Sequence, residues 1–335
     1  MMAFLFAAVL GAQGNPPVQW VRAGINADRP IWGIEGHLHF AVHPAGVGPI
    51  GEGGPRGLIR LGVPIRPNGE MELVNFIAIE PTIKGQSGRS FSELEPSKLD
   101  QKQGKRIWAA PDSAEPMEQL KLEPGTLKTI APGVEELTVV LRVESFDTGA
   151  RVRVVASQRS DRPDELSLRT YAEPDSKPLD RCILTATMGN KIRARELWLK
   201  EGPKSSLATW PNHSGNGFTD HATYRLSDLF IDKAGDVLAA ITTNEKDPAS
   251  VFPFPGSQAW HYGGRPVTQY WRKPKGDIGP GLELKVNGRF TYWASDQPIP
   301  GGVAYENFEL VEPYREGSEF VFGITKLTPA QLGLP

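Results

Sequence analysis

The sequence predicts an all-β fold: an antiparallel β-sandwich, supersandwich or jelly-roll-like, with long loops and few short helices. Three observations carry this. Gly and Pro are abundant, 36 and 30 among 335 residues, as expected where many short strands are joined by turns. The clearest local pattern is a hairpin: ELTVVLRVESF (136–146) and ARVRVVASQ (150–158) alternate or run β-branched on either side of Asp147-Thr148-Gly149. Helical periodicity is sparse throughout.

Taken in order, the chain begins MMAFLFAAVLGAQGNPP. The apolar run Ala3–Leu10 is too short to span a bilayer. It reads as a signal-peptide core ending at residue 14, with Ala12 and Gly14 in the small-residue cleavage positions, although no Lys or Arg precedes it. Export to the periplasm or beyond is therefore expected. Residues 15–335 are expected to form a single large β-rich domain, with two packed β subdomains as the second choice, since β runs lie on both sides of the charged loop 100–118. Strands are predicted at 31–42, 57–65, 71–83, 181–187, 237–243, 266–272, 282–294, 303–312 and 319–325, and 164–174 extends the hairpin into a meander. The segment 189–199 fits strand or helix equally. Short helices are predicted over 227–235, capped by Ser227, and over 328–333, where Thr328, Pro329 and Gly333 supply cap, first turn and stop. A further turn is predicted at 92–95.

The net charge of −2 provides no broad electrostatic footprint for nucleic acid or anionic lipid. The lone cysteine, Cys182, permits no intramolecular disulfide, and its apolar run CILTAT reads as buried.

Four segments bear on chemistry. In HLHFAVH, His37, His39 and His43 fall on one face of a single strand together with Glu35. Imidazoles at i and i+2 can chelate a divalent metal. This His-x-His resembles that of cupins, with His43 standing where a cupin carries an acid; the resemblance implies a metal at His37 and His39. The Gly-rich stretch 45–57 matches GxGxxG formally, but no helix opens there, so it reads as a surface loop or rim.

Glycoside hydrolysis needs two acids flanking one bond. Glu35, Glu80, Glu306 and Glu309 lie in apolar strand contexts where burial raises a carboxyl pKa. Glu80 and Glu306 are the expected acid pair. Simple alternation groups Glu306 with Ala304 and Phe308, and Glu309 with Tyr305 and Asn307.

The densest signal is FPFPGSQAWHYGGRPVTQYWRK (252–273), with six aromatic rings among Pro, Gly and cations. Aromatic faces beside hydrogen-bonding and cationic side chains suit a sugar or an acidic glycan. Here Trp260 and Trp271 are expected platforms, with Arg265, Tyr270 and Arg272 as further contacts. For elimination from a uronate, His261 or Tyr262 is the expected base, with Arg265 or Arg272 neutralising the carboxylate. The loop 210–221, WPNHSGNGFTDH, adds Trp210 and a polar rim that includes His213 and His221. No GxSxG elbow and no HExxH occur.

A chain with a leader-like apolar run, an all-β pattern and aromatic-polar loops is similar in architecture to carbohydrate-active β-sandwich proteins, the galactose-mutarotase-like and jelly-roll groups among them. The expectation is a secreted carbohydrate-active enzyme, a glycoside hydrolase or polysaccharide lyase acting on a polysaccharide or oligosaccharide. Two rivals stand beside it: a non-catalytic carbohydrate-binding or envelope protein, and a metal-dependent enzyme built on His37 and His39.

Overall fold

Two large antiparallel sheets pack face to face in this computed structural model, which describes residues 18–44, 56–64, 69, 71–111, 122–187, 192–245, 267–292 and 296–335. The strands are β1 (Trp20–Val21), β2 (Ile31–Ile34), β3 (His39–Ala41), β4 (Leu58–Val63), β5 (Glu72–Ile83), β6 (Ile107–Ala109) and β7 (Thr126–Ala131). They continue with β8 (Val134–Val143), β9 (Val152–Arg159), β10 (Arg162–Ala172), β11 (Leu179–Thr187), β12 (Ala194–Leu199) and β13 (Gly202–Ser205). After one helical turn, α1 (Ser206–Thr209), come β14 (Ala222–Arg225), β15 (Phe230–Ile231), β16 (Val237–Thr243), β17 (Thr268–Lys273), β18 (Glu283–Arg289), β19 (Ala304–Val311) and β20 (Glu319–Thr325).

The nine-stranded sheet runs β1-β2-β3-β4-β5-β11-β19-β18-β14. The second runs β13-β12-β16-β17-β20-β10-β9-β8-β6, with β15 beside β16 and β7 beside β8, eleven strands in all. Early strands fill each sheet in turn. Later ones cross between the sheets, so that β11 lies between β5 and β19, and β20 between β10 and β17.

Period-two alternation decides what is inside. Leu137, Val139 and Leu141 of β8, Val152, Val154 and Ala156 of β9, and Leu166 and Leu168 of β10 meet Ile77, Ile79, Leu184 and Phe308 of the other sheet in one apolar cluster. One polar pair crosses it: Asn75 Nδ2 donates to Gln269 Oε1 at 2.6 Å, both residues being fully buried on opposing sheets. Such a pair favours one alignment of the two sheets, since sliding would orphan both amides.

The meander β8-β9-β10 forms as predicted, in the register Arg142↔Arg153 and Leu168↔Ala156. The ambiguous segment resolves as strand β12. The predicted strand 31–42 is divided: residues 35–38 turn, and β2 and β3 pair with each other, Gly33 opposite His39. The helix expected over 227–235 is a 3-10 turn, Leu226–Asp228, followed by β15, because Phe230 pairs with Leu238. Residues 329–333 form turns rather than a helix, with Thr328 Oγ1 still accepting from Gln331 N. Simple alternation also fails in β19. Val286 faces Phe308, but Gly288 faces Tyr305, so β19 carries one extra residue, a β-bulge. Tyr305 joins Phe308 in the core. Glu306 and Asn307 together stand opposite Asn287, whose Oδ1 accepts from Asn307 N at 3.1 Å.

The leader expected over residues 1–14 lies outside the described residues, and among those described no helix is long and apolar enough to cross a membrane.

Candidate functional site

Ile77 and Ile79 of β5 point into the core, so Ala78 and Glu80 point out of the nine-stranded sheet. Beyond β5 the chain turns at 84–88 and doubles back. Arg89 pairs with Thr82, Ser90 N donates to Pro81 O, and Ser92 N donates to Ile79 O. The returning segment takes the place beside β5 that β4 leaves where it begins at Leu58. Gly57 makes this possible: at φ +78, a Cβ there would lie 1.9 Å from Ser92 O. The reversal carries the Arg89 guanidinium over Glu80.

Three strands then converge. Arg89 Nη2 donates to Glu309 Oε2 of β19 at 2.7 Å and to Thr185 Oγ1 of β11 at 3.1 Å, and it forms an ion pair with Glu80 Oε2. Thr185 Oγ1 donates to Glu309 Oε2 at 2.5 Å. The Glu80 and Glu309 side chains are 4 % and 1 % exposed, whereas Arg89 keeps 25 %. Burial pushes the Glu80 carboxyl well above its ordinary value; Arg89 pulls it down, while Glu309 and Glu93 add to the rise. Burial also pushes Glu93 up to about 7. For Arg89, burial opposes the charge, but Glu80 and Glu309 outweigh it and hold the guanidinium above its usual range. Two carboxylates thus share one cation, an arrangement that makes Glu80 hold a proton more readily than an ordinary glutamate.

Beside this cluster stands His221, exposed, with Nε2 3.4 Å from Asn287 Nδ2. What burial it has lowers its pKa, Arg89 and Lys285 lower it further, and Glu309 opposes them. The imidazole is therefore neutral at pH 7. The face brings together an acid whose proton is held more tightly than usual, a shared cation, a neutral imidazole and a carboxamide.

Comparison with protein-family models, with curated proteins and with solved structures gives no match. What the chain can do rests on its own geometry.

Several expected site residues lie elsewhere. Glu306, expected to pair with Glu80, stands at the bulge, 1 % exposed. Burial raises it to about 7, and the charge acting on it is that of Arg289, not Glu80. Its Oε1 has no hydrogen-bond partner among the described residues. A folded-state value above the unfolded one stabilises the fold at low pH and is lost as pH rises through it. Glu306→Gln is accordingly expected to raise stability at pH 8 by about 3 kcal/mol, at 1.36 kcal/mol per pKa unit, and to be neutral below pH 4. Urea unfolding at the two pH values checks this; a loss at pH 8 would show that the charged form is the one the fold prefers.

Trp271, expected as a sugar platform, offers no face to solvent. It is fully buried, its Nε1 donates to Phe308 O at 2.8 Å across the core, and its ring meets Phe322 edge-on at 4.8 Å. Period two explains this: β17 sends Gln269 and Trp271 inward, Tyr270 and Arg272 outward. Those outward residues lie on the outer face of the eleven-stranded sheet, so the sandwich itself separates them from Glu80. Sheets pack about 10 Å apart, and one site cannot include both. Trp210 is half-buried against Tyr305, ring centroids 5.4 Å apart, rather than raised as a platform.

His37 and His39 do not share a strand face. His37 sits in the 35–38 turn, and its Nδ1 meets Asp164 Oδ1 at 2.9 Å beside a hollow of about 300 Å³ that Lys326 and Ile324 also line. His39 Nε2 pairs with Ile34 O at 3.1 Å, and burial lowers its pKa. Among the described residues no group of three His, Cys, Asp or Glu is set to hold a metal ion. Cys182 is buried, and burial pushes its thiol up to about 12, which leaves it unreactive. Trp260, His261, Tyr262 and Arg265, and the loop 45–55, lie outside the described residues.

Sequence reasoning noticed Glu309 and the loop carrying His221 but not their meeting with Arg89. The available signal was the GQSGRS turn soon after an apolar strand that carries an acid near its end.

Proposed function

We propose that this chain is a secreted carbohydrate-active enzyme that cleaves an acidic glycan by elimination on the outer face of the nine-stranded sheet. The observation that carries the choice of elimination over hydrolysis is the shared guanidinium. Glycosidases hold their two carboxyl groups about 5–5.5 Å apart (retaining) or about 6.5–9.5 Å apart (inverting), with the scissile bond between them. Here both carboxylates touch one nitrogen, and Arg89 fills the space between. They act as one acid with one spare proton, not as an opposed pair.

Elimination needs such a set. His221, neutral, takes the proton at C5 of a uronate. The electron pair left at C5 forms the C4–C5 double bond, the C4–O bond breaks, and the leaving oxygen takes the proton from Glu80. Asn287 and the exposed edge of Arg89 hydrogen-bond the uronate carboxylate and favour the carbanion-like transition state. The apolar leader of residues 3–10 supports the secreted reading.

Glycan digestion read for both reducing ends and the ultraviolet absorbance of an unsaturated uronate tests this. Both signals are expected on a polyuronate. Glu80→Gln and His221→Ala should each lower the rate by about 10²–10⁴-fold, the usual contribution of one acid or base. Reducing ends without absorbance would assign hydrolysis instead. A second reading draws on the near-complete burial of Glu80 and Glu309: the cluster is structural, and the chain a non-catalytic carbohydrate-binding or envelope protein. Glycan binding without either product on a broad panel would favour it.

A further inference from the structure

The outer face of the eleven-stranded sheet holds a second polar site, independent of the first. Register builds it. Ser157 of β9 pairs with Ser167 of β10, Ser167 with Val321 of β20, and Val321 with Arg272 of β17. The four side chains form a row across four strands, on the face opposite the core residues Ala156, Leu168, Phe322 and Trp271.

Around this row lies a hollow of about 240 Å³. Arg272 donates from Nε to Glu165 Oε1 at 3.1 Å and from Nη1 to Asp236 Oδ2 at 2.9 Å. Glu165 also accepts from the Tyr270 hydroxyl at 3.0 Å. Ser167 Oγ donates to Glu319 Oε1 at 2.5 Å, and Arg159 and Arg162 complete the rim. Three guanidinium groups and three carboxylates thus line the hollow together. Ser157 lines the hollow at 2 % exposure, and its hydroxyl has no hydrogen-bond partner among the described residues. A buried polar atom left unpaired carries a desolvation cost, which a ligand able to reach it would relieve.

The lining selects the ligand class. An anion would meet three carboxylates. A cation would meet three arginines, each acid being held by its own donors. An apolar molecule would find little beyond Val321 and Pro274. A neutral molecule with adjacent hydroxyls suits it, because each hydroxyl both donates to carboxylate and accepts from guanidinium. The volume lies below the roughly 300–1,000 Å³ of pockets for drug-sized ligands, the scale of one sugar ring. We infer that this hollow is a neutral-sugar site, with Arg272, Glu165 and Ser157 as its recognition groups. It does not rest on the elimination reading, since the two faces share no residue.

Titration of the full chain with glucose, galactose and mannose, read by calorimetry and by NMR shifts, tests the site, with inorganic phosphate and glucuronate as controls. The expected result is saturable binding of at least one neutral hexose. Ser157→Phe, which fills the hollow, should weaken it at least tenfold, and Ser157→Ala, which keeps the fold with the least disturbance, should weaken it measurably. His221→Ala should leave it unchanged, so that failure of the elimination reading is distinguishable. No saturable hexose binding, binding indifferent to both Ser157 variants, or preference for phosphate or glucuronate would overturn the proposal.

Discussion

Arg89→Met is expected to destabilise the protein by about 3–5 kcal/mol at pH 8, the usual cost of removing one partner of a buried ion pair. The residue touches Glu80, Glu309 and Thr185 at once, and it is the cation on which both carboxylates converge. Without it, Glu309 is left buried beside Glu80 and Glu93 with no ion-pair partner among the described residues. The carboxylates can then shed their charge only by taking up protons. The sign of the pH dependence follows. Glu80 already has a folded-state value raised well above the ordinary one, mainly by burial. Its protonated form therefore favours the fold fully below about pH 4.5, and that contribution fades as pH rises through the folded value. The deficit of the Arg89→Met variant should accordingly shrink on going from pH 8 to pH 5. Urea denaturation at both pH values measures it. A deficit equal at the two would mean that Arg89 acts through packing on Phe91, whose ring lies 5.6 Å from its guanidinium carbon, rather than through charge.

Trp271→Ala is expected to cost about 3–5 kcal/mol through cavity formation and to leave glycan binding at the folded protein unchanged. The indole is among the largest fully buried side chains, wedged against Phe320 and Phe322. Its loss also removes the donor that reaches Phe308 O from the opposing sheet. Trp271→Phe keeps most of the ring volume and should recover more than half the deficit. Denaturation midpoints of the three proteins, with binding assayed below the transition, separate the roles. A folded Trp271→Ala protein with normal stability and lost binding would restore the residue as a sugar contact.

These two residues mark what the sequence made legible. Alternation in β8, β9 and β10 was readable because one face of each strand is apolar, whereas β16 and β20 were readable as continuous apolar runs buried along nearly their whole length. β7 was not, since its burial is low along its whole length and no alternation marks it. Alternation also holds the reason that Tyr270, Trp271 and Arg272 cannot act together: neighbours in a strand face opposite ways. Which sheet face each would occupy depended on the order of strands, to which the sequence is mute. The acid cluster was harder still. Glu80, Thr185 and Glu309 are distant in sequence, and Arg89 reaches them only because the chain reverses after β5. Sequence reasoning grouped the right residue types on the wrong partners, choosing Glu306 where the bulge had changed the count.

The bulge in β19 marks where that strand can lose a residue without losing its frame. Between Tyr305 and Phe308, both in the core, sit two residues opposite one. Deleting either Glu306 or Asn307 would restore regular pairing, with Tyr305 still opposite Gly288 and Phe308 still opposite Val286. A deletion elsewhere in β19 would instead turn the side chains on one side of it to the other face of the sheet. In a library of single-codon deletions, these two positions should therefore be tolerated and their neighbours in the strand should not, a signature by which the frame of the sheet could be recognised in the gene before any activity was assayed.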